Sequence, residues 1–342
     1  MQKTEYIFQD KMVSCFFDAG FPVIENLIPM GVVIYLTDEN IHKSHPGKFE
    51  DKKVIVIPAG EKNKQQSTVD NVISELIKLE ADRETILIGV GGGVVTDLTG
   101  YIASIYMRGI KCCLVPTSIL AMVDACIGGK NGVDVGVYKN MVGTVKQPEF
   151  LLYDYSFLET LPTEEWINGF AEIIKHACIK DAALFAELEK TSLEELRMSK
   201  LKIDELIQRN VHIKYDVVSA DPLEQGERRL LNFGHTLGHS IENIYDLPHG
   251  HAVSIGMVAA CKISIKLNYF NQDEMERVLG ILNKYHLPCN LEIDIQKVWQ
   301  IMLRDKKRSG KEMKFVLLNK IGDGIVFQIP LLQLENILKE LY

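Results

Sequence analysis

The chain is predicted to have two parts: an α/β domain on a doubly wound parallel sheet, then a mostly α-helical domain. Three observations carry this. Short β-branched runs alternate with helical stretches up to about residue 160, and long amphipathic segments take over from about Pro162. The length of 342 residues also suits about two domains of roughly 150 residues each. The expected boundaries are 1–160 and 161–342.

The runs at 31–36 (GVVIYL), 54–58 (VIVIP), 85–90 (TILIGV) and 111–116 (KCCLVP) have strand length and are apolar without polar alternation. Strands of a parallel sheet, covered on both faces, read this way. The stretch 68–81 (TVDNVISELIKLEA) is the clearest helix between them and completes a βαβ pattern. Beyond Pro162, helices are expected at 163–180, 182–190, 192–218, 236–245, 252–267 and 272–285. Strands are expected only at 313–318 and 325–328, joined by a Gly-Asp-Gly turn. An active cleft is expected where the two domains meet.

Composition narrows the function. With 46% hydrophobic and 25% charged residues the chain is ordinary globular material, and its net charge of −8 argues against a nucleic-acid partner. No apolar run reaches the ~18 residues of a membrane-spanning helix, so no membrane partner is expected. The start, MQKTEYIFQDKM, has no apolar signal region, which suggests a cytoplasmic protein. The seven cysteines are scattered without a CxxC pair and read as reduced, buried thiols.

Two constellations carry chemistry. The first is Gly89 to Asp97 (GVGGGVVTD), which follows a strand and opens a helical stretch. Gly91, Gly92 and Gly93 allow backbone N–H groups to approach a diphosphate at a helix N-terminus. The sequence is neither GxGxxG nor a Walker A loop; its position favours a dinucleotide, and a structural tight turn is the alternative. Asp38 and Glu61, after the first and second strands, suit nucleotide hydroxyls and equally suit capping or solvated positions. The second constellation lies between residues 231 and 257, where four of the nine histidines fall. His235 and His239 stand four apart on one helix face, and His249 and His251 follow an Asp-Leu-Pro break. Two imidazoles with a further ligand and one open position make a catalytic zinc site, whereas satisfied helix histidines are the plainer reading.

Taken together, the segments GVGGGVVTDLTGYIASIYMRGI, VPTSILAMVDACIGGKNGV, YKNMVGTVKQP, GFAEIIKHACI, GERRLLNFGHTLGHSIE and HGHAVSIGM resemble the 3-dehydroquinate synthase family, in the same order and from about residue 31 to 318. The resemblance implies a Rossmann-like N-terminal domain, a helical C-terminal domain and a homodimer. It also implies NAD and Zn2+ (or Co2+) as cofactors. The implied metal ligands are Glu172, His235 and His249, with His251 where the family usually has Glu. The implied nucleotide contacts are Lys64, Gly91, Gly92, Gly93, Asp97, Thr117, Ser118, Asp124 and Lys139, beside Asp38 and Glu61. The implied substrate contacts are Arg108, Asp124, Lys130, Lys139, Asn140, Lys214, Arg228, Asn232 and Lys306 or Lys307. Lys130, Asn140, Lys175, Glu224 and His239 are the implied catalytic set. Asp134 departs from the Asn or His expected there.

The implied substrate is 3-deoxy-D-arabino-heptulosonate 7-phosphate, a phosphorylated keto acid. The implied reaction is transient oxidation by NAD, β-elimination of phosphate, reduction, ring opening and aldol closure. An acidic chain needs a focused cationic pocket for such an anion, and the named lysines and arginines supply it. His239, one turn from His235, is the candidate proton relay with Glu224. The rival readings are another sugar phosphate cyclase and a metal-dependent polyol or alcohol dehydrogenase of the same fold.

Overall fold

The computed structural model describes residues 1–342 except 10, 29, 30, 137 and 304–307, and at 308 and 309 the backbone alone. The chain divides into two units: Met1–Trp166 with Asp204–Val211, and Ile167–Ile203 with His212–Tyr342.

In the first unit, strands β1 (Gln2–Phe8), β2 (Lys11–Phe17), β3 (Val33–Asp38), β4 (Lys53–Ile57), β5 (Ile86–Gly91) and β6 (Lys111–Pro116) are followed by β7 (Lys130–Val135), β8 (Tyr138–Val145) and β9 (Phe150–Tyr153). Seven of these make one sheet, in the order β1-β2-β9-β6-β5-β3-β4, while β7 and β8 pair as a separate hairpin. All pairings in the large sheet are parallel except β1 with β2. The four β-branched runs read from the sequence are β3 to β6. Their alternate residues feed two apolar layers: Ile34, Leu36 and Leu87 pack with Val69, Leu76 and Leu98, and Tyr35, Ile88 and Val90 pack with Phe21, Phe49 and Phe157. Both faces are apolar because helices cover both, so these strands show no polar alternation.

Helix α1 (Gln66–Lys78) buries Val69, Val72 and Leu76, and α2 (Gly93–Ile105) follows β5 directly. The sequence did not anticipate β1, β2, β7, β8 or β9. β1 (QKTEYIF) is an edge strand whose Lys and Glu face solvent, a common guard against edge pairing that weakens its apolar signal.

The second unit is helical around a small antiparallel sheet. The long helices α5 (His235–Tyr245), α6 (His249–Lys266) and α7 (Gln272–Lys284) lie wholly within it, as does most of α3 (Thr163–Lys180), while α4 (Lys200–Ala220) is divided between the units at Asp204–Val211. Strands β10 (Arg308–Ser309), β11 (Glu312–Lys320) and β12 (Asp323–Pro330) pair in that order. The single helix expected at 192–218 is instead two, Leu193–Arg197 and α4. Ser199 causes the break, because its hydroxyl caps α4 by accepting from the Lys202 N–H at 3.4 Å. Among the described residues, no helix is long and apolar enough to cross a membrane.

Candidate functional site

Helix α5 carries His235, His239 and Glu242 at i, i+4 and i+7, so the three side chains leave one stripe. The stripe meets α6 because the helices touch where side chains are absent. A β-carbon on Gly256 would lie 1.9 Å from the Gly234 carbonyl oxygen, and one on Gly238 would lie 3.0 Å from the Ala252 oxygen. Gly234 opens α5 at φ +79°, a left-handed conformation that side chains disfavour. Helix α3 is fixed similarly. A β-carbon on Gly250 would lie 2.3 Å from the Asn168 carbonyl oxygen, and the Asn168 side chain accepts from the Gly250 N–H. Glu172, one turn beyond Asn168, therefore arrives beside His249 at the start of α6.

Glu172 is fully buried, and its Oε1 lies 3.3 Å from His249 Nε2 and 3.4 Å from His235 Nε2. The ligand atoms of all three residues fall within 4.8 Å of one another. A tetrahedral zinc bound by N and O donors at roughly 2.0–2.1 Å separates its ligands by about 3.3–3.4 Å, so the donor set fits. The chemistry of the donors fits too. His235 Nδ1 donates to the Phe233 carbonyl at 3.1 Å, and His249 Nδ1 faces Glu242 Oε2 at 3.2 Å, leaving both Nε2 atoms directed at Glu172. Among the described residues, His251 joins none of the three-residue groups able to grip an ion.

Charge follows geometry. Burial would raise the Glu172 carboxyl, but Lys175 and the two imidazoles outweigh it and hold the acid well below the usual range. Lys175, itself buried on α3, pairs with the second oxygen of Glu172. Burial keeps the His235 imidazole below its ordinary value despite the pull of Glu172. At His249 burial acts the same way, yet hydrogen bonds to Glu172 and Glu242 overcome it and push the value up to about 10.

The other sequence-predicted residues of this unit fall into distinct settings. The His239 ring lies 5.1 Å from that of His235 and 6.1 Å from that of His249. Lys214 on α4 and Arg228 in the turn Glu227–Asn232 are both buried. The Arg228 guanidinium donates to the Pro222 carbonyl at 3.0 Å. Asn232 donates to Glu224 Oε1 at 2.7 Å, and Glu224 sits at φ +58°. Lys306 and Lys307 lie outside the described residues.

In the first unit, β5 runs into Gly92, which caps α2. Glycine is required by packing at Gly89 and Gly91, where a β-carbon would meet Thr99 at 2.2 Å and Val95 at 2.5 Å. At Gly92 the one neighbour within 4 Å among the described residues is Ser118 Oγ at 3.5 Å, an ordinary contact. Packing therefore leaves room for a β-carbon there, and the bare backbone at a helix N-terminus forms a cradle that a β-carbon would fill. Thr117 and Ser118 border it after β6, with the Thr117 N–H bonded to the Gly91 carbonyl at 3.0 Å. This is the carboxyl end of the sheet, where such folds receive nucleotides.

A polar network stands in the same unit. The buried Lys64 ammonium lies 2.5 Å from Asp97 Oδ2 and donates to Asn140 Oδ1 at 2.7 Å. Burial would lower Lys64, yet Asp97 and Glu61 raise it, so it stays charged. Lys139 reaches Glu61 at 3.1 Å and Asp134 at 3.4 Å. Asp134 also accepts from the Asn140 N–H at 2.7 Å and so holds Asn140 at φ +52°. Asp38 caps Glu39–Ser44 through the N–H groups of Asn40 and Ile41, the capping role weighed from the sequence. Arg108, exposed in Tyr106–Arg108, has φ +68°. Asp124 lies in the turn Ala121–Ala125, and Lys130 is exposed at the start of β7.

Sequence reasoning missed Asn168, Glu242 and the function of Asp134. Only Glu242 had a usable signal, its i+7 spacing from His235.

The two-part fold, α/β and then helical, is one shared with sugar phosphate cyclases. The same fold occurs in 2-epi-5-epi-valiolone synthase from Streptomyces hygroscopicus, solved with NAD+ and Zn2+ bound, at TM-score 0.88 and 27% identity over 98% of both chains. Residues 54–168 match the N-terminal, and residues 169–308 the C-terminal, domain of 3-dehydroquinate synthase. Relatives bearing that name are 38% identical in Acetivibrio thermocellus, over 86% of this chain and 85% of the relative, and 39% identical in Thermodesulfovibrio yellowstonii, over 84% and 82%. The chain belongs to the 3-dehydroquinate synthase family.

Proposed function

We propose that the chain converts 3-deoxy-D-arabino-heptulosonate 7-phosphate to 3-dehydroquinate and phosphate. In this reading NAD occupies the Gly92 cradle, and Zn2+ or Co2+ is held by Glu172, His235 and His249. The buried carboxylate between two imidazoles at 3.3 and 3.4 Å carries the reading. Bound, these groups supply a reversible hydride acceptor and a Lewis acid towards oxygen.

The chain's own residues do the binding and proton handling. Lys175, Lys214 and Arg228 are cations already stripped of water, so they attract a carboxylate and a phosphate more strongly than surface lysines would. Lys130, Lys139, Asn140, Arg108 and Asn232 complete the substrate set, with Lys306 kept on its sequence motif. Asp124 orients the nicotinamide end or the metal site. His239 moves a proton at a substrate oxygen, with Glu224 as its partner group. Lys64, Asp97, Glu61, Asp38, Thr117 and Ser118 border the nucleotide. The protein works as a cytoplasmic homodimer on a small anionic molecule, without nucleic acid or membrane.

The test is to supply the heptulosonate phosphate, catalytic NAD+ and zinc, and to follow phosphate and NADH together. One phosphate per substrate with no accumulating NADH is expected. Steady NADH accumulation contradicts the reading and marks a dehydrogenase. Mass spectrometry of the product separates 3-dehydroquinate from another cyclase product.

A further inference from the structure

We infer that Glu242 is a positioning residue that fixes the ring of His249 for metal binding. The inference rests on the metal site proposed above and concerns a side chain that does not itself belong to the Glu172, His235 and His249 set. His249 stands at the mouth of α6 with a carboxylate on each ring nitrogen: Glu172 Oε1 at 3.3 Å from Nε2 and Glu242 Oε2 at 3.2 Å from Nδ1. A carboxylate only accepts, so Nδ1 must carry the hydrogen directed at Glu242. Once an ion displaces the Nε2 proton, that bond fixes the tautomer and the ring plane and leaves the Nε2 lone pair for the ion shared with Glu172.

The contrast with His235 makes the point sharper. Its Nδ1 is held at 3.1 Å by a backbone carbonyl two residues before it, an anchor that no substitution removes. His249 has a side chain as its anchor, delivered from another helix. Glu242 leaves α5 on the same stripe as His235, at i+7, and its side chain is 10% exposed. One helix therefore provides a proposed ligand and the support of a second. His239, on the same stripe, has a ring nitrogen within 4.8 Å of ligand atoms of Glu242 and His249.

Metal affinity of the full-length protein tests this directly, by competition between the metal-free chain and a zinc chelator. Glu242→Ala is expected to weaken zinc binding about 10- to 100-fold, the usual cost of losing an outer partner of a ligating histidine. NAD+ affinity should not change. Glu242→Gln, whose carbonyl still accepts from Nδ1, should recover most of that loss. Nitrogen-15 NMR should find the hydrogen on His249 Nδ1 in the zinc-loaded wild type. Zinc affinity of Glu242→Ala within twofold of wild type overturns the inference, as does a Gln variant no better than Ala. His249→Ala separates the two claims: if it retains zinc, the metal site itself is wrong; if it loses zinc while Glu242→Ala does not, only the positioning role fails.

Discussion

The glycines of the two units do different things. On α5 and α6, Gly238 and Gly256 remove β-carbons that would strike the facing backbone, at 3.0 and 1.9 Å. They let two helices approach closely enough for His235, His249 and Glu172 to share one point. At the β5–α2 turn, a β-carbon on Gly92 would meet, among the described residues, only an ordinary contact at 3.5 Å. The first kind of glycine shapes the protein, and the second leaves room for something else. Unit 2 thus presents a donor set around a buried carboxylate, whereas unit 1 presents a bare helix start and a polar network drawn from the segment after β4, from α2 and from the β7–β8 hairpin.

The comparison can be broken by substitution. The largest effect is expected for His235→Ala, which should lower phosphate release at least about 10³-fold, the scale on which charge-stabilising groups act. Zinc content of the purified variant, measured by mass spectrometry of the metal, should fall with it. Gly256→Ala comes next. A methyl group against the Gly234 carbonyl should cost about 3 kcal/mol in urea unfolding, and the metal site should loosen with the helix pair.

Within unit 1 the two kinds of glycine sit three residues apart. Gly89→Ala, aimed at Thr99, should destabilise the protein by about 1–3 kcal/mol. Gly92→Ala should leave stability within about 0.5 kcal/mol of wild type and weaken NAD+ binding about tenfold by calorimetry. Equal stability losses for both would show Gly92 to be a packing glycine and would remove the cradle.

The smallest effect concerns pH. With its value pushed up to about 10, His249 is protonated at neutral pH in the metal-free protein, whereas His235, held below its ordinary value, is neutral. A metal ion must displace the His249 proton, so binding should release one proton and zinc affinity should rise with pH towards 10. Between pH 7.5 and 7.0 the loss is expected to be about threefold, measurable by chelator competition in buffers of different ionisation enthalpy.

Much of this was legible in the sequence for a physical reason. Strands buried on both faces must be apolar throughout, so β3 to β6 announce themselves, and i, i+4 histidines need no tertiary knowledge to share a face. β1 and β9 were not legible, because a charged edge strand and a four-residue strand carry too few apolar positions. The break at Ser199 was missed because one capping hydroxyl inside an amphipathic run barely changes its periodicity. Among site residues, Glu172 was found only through its motif, since a single carboxylate on a helix has no local signature. The tertiary roles of Asn168 and Asp134 depend on backbone groups distant in sequence or fixed by a hairpin, which no residue pattern reveals. His251 shows the converse: it sits two residues from His249, and only the fold decides which imidazole faces Glu172.

Anomalous diffraction at the zinc edge, from crystals of the full-length protein grown with zinc and NAD+, tests the central claim most directly. The expected result is one strong peak within coordination distance of Glu172 Oε1, His235 Nε2 and His249 Nε2. No peak there at full zinc occupancy, or one held by His251 in place of His249, would contradict the account.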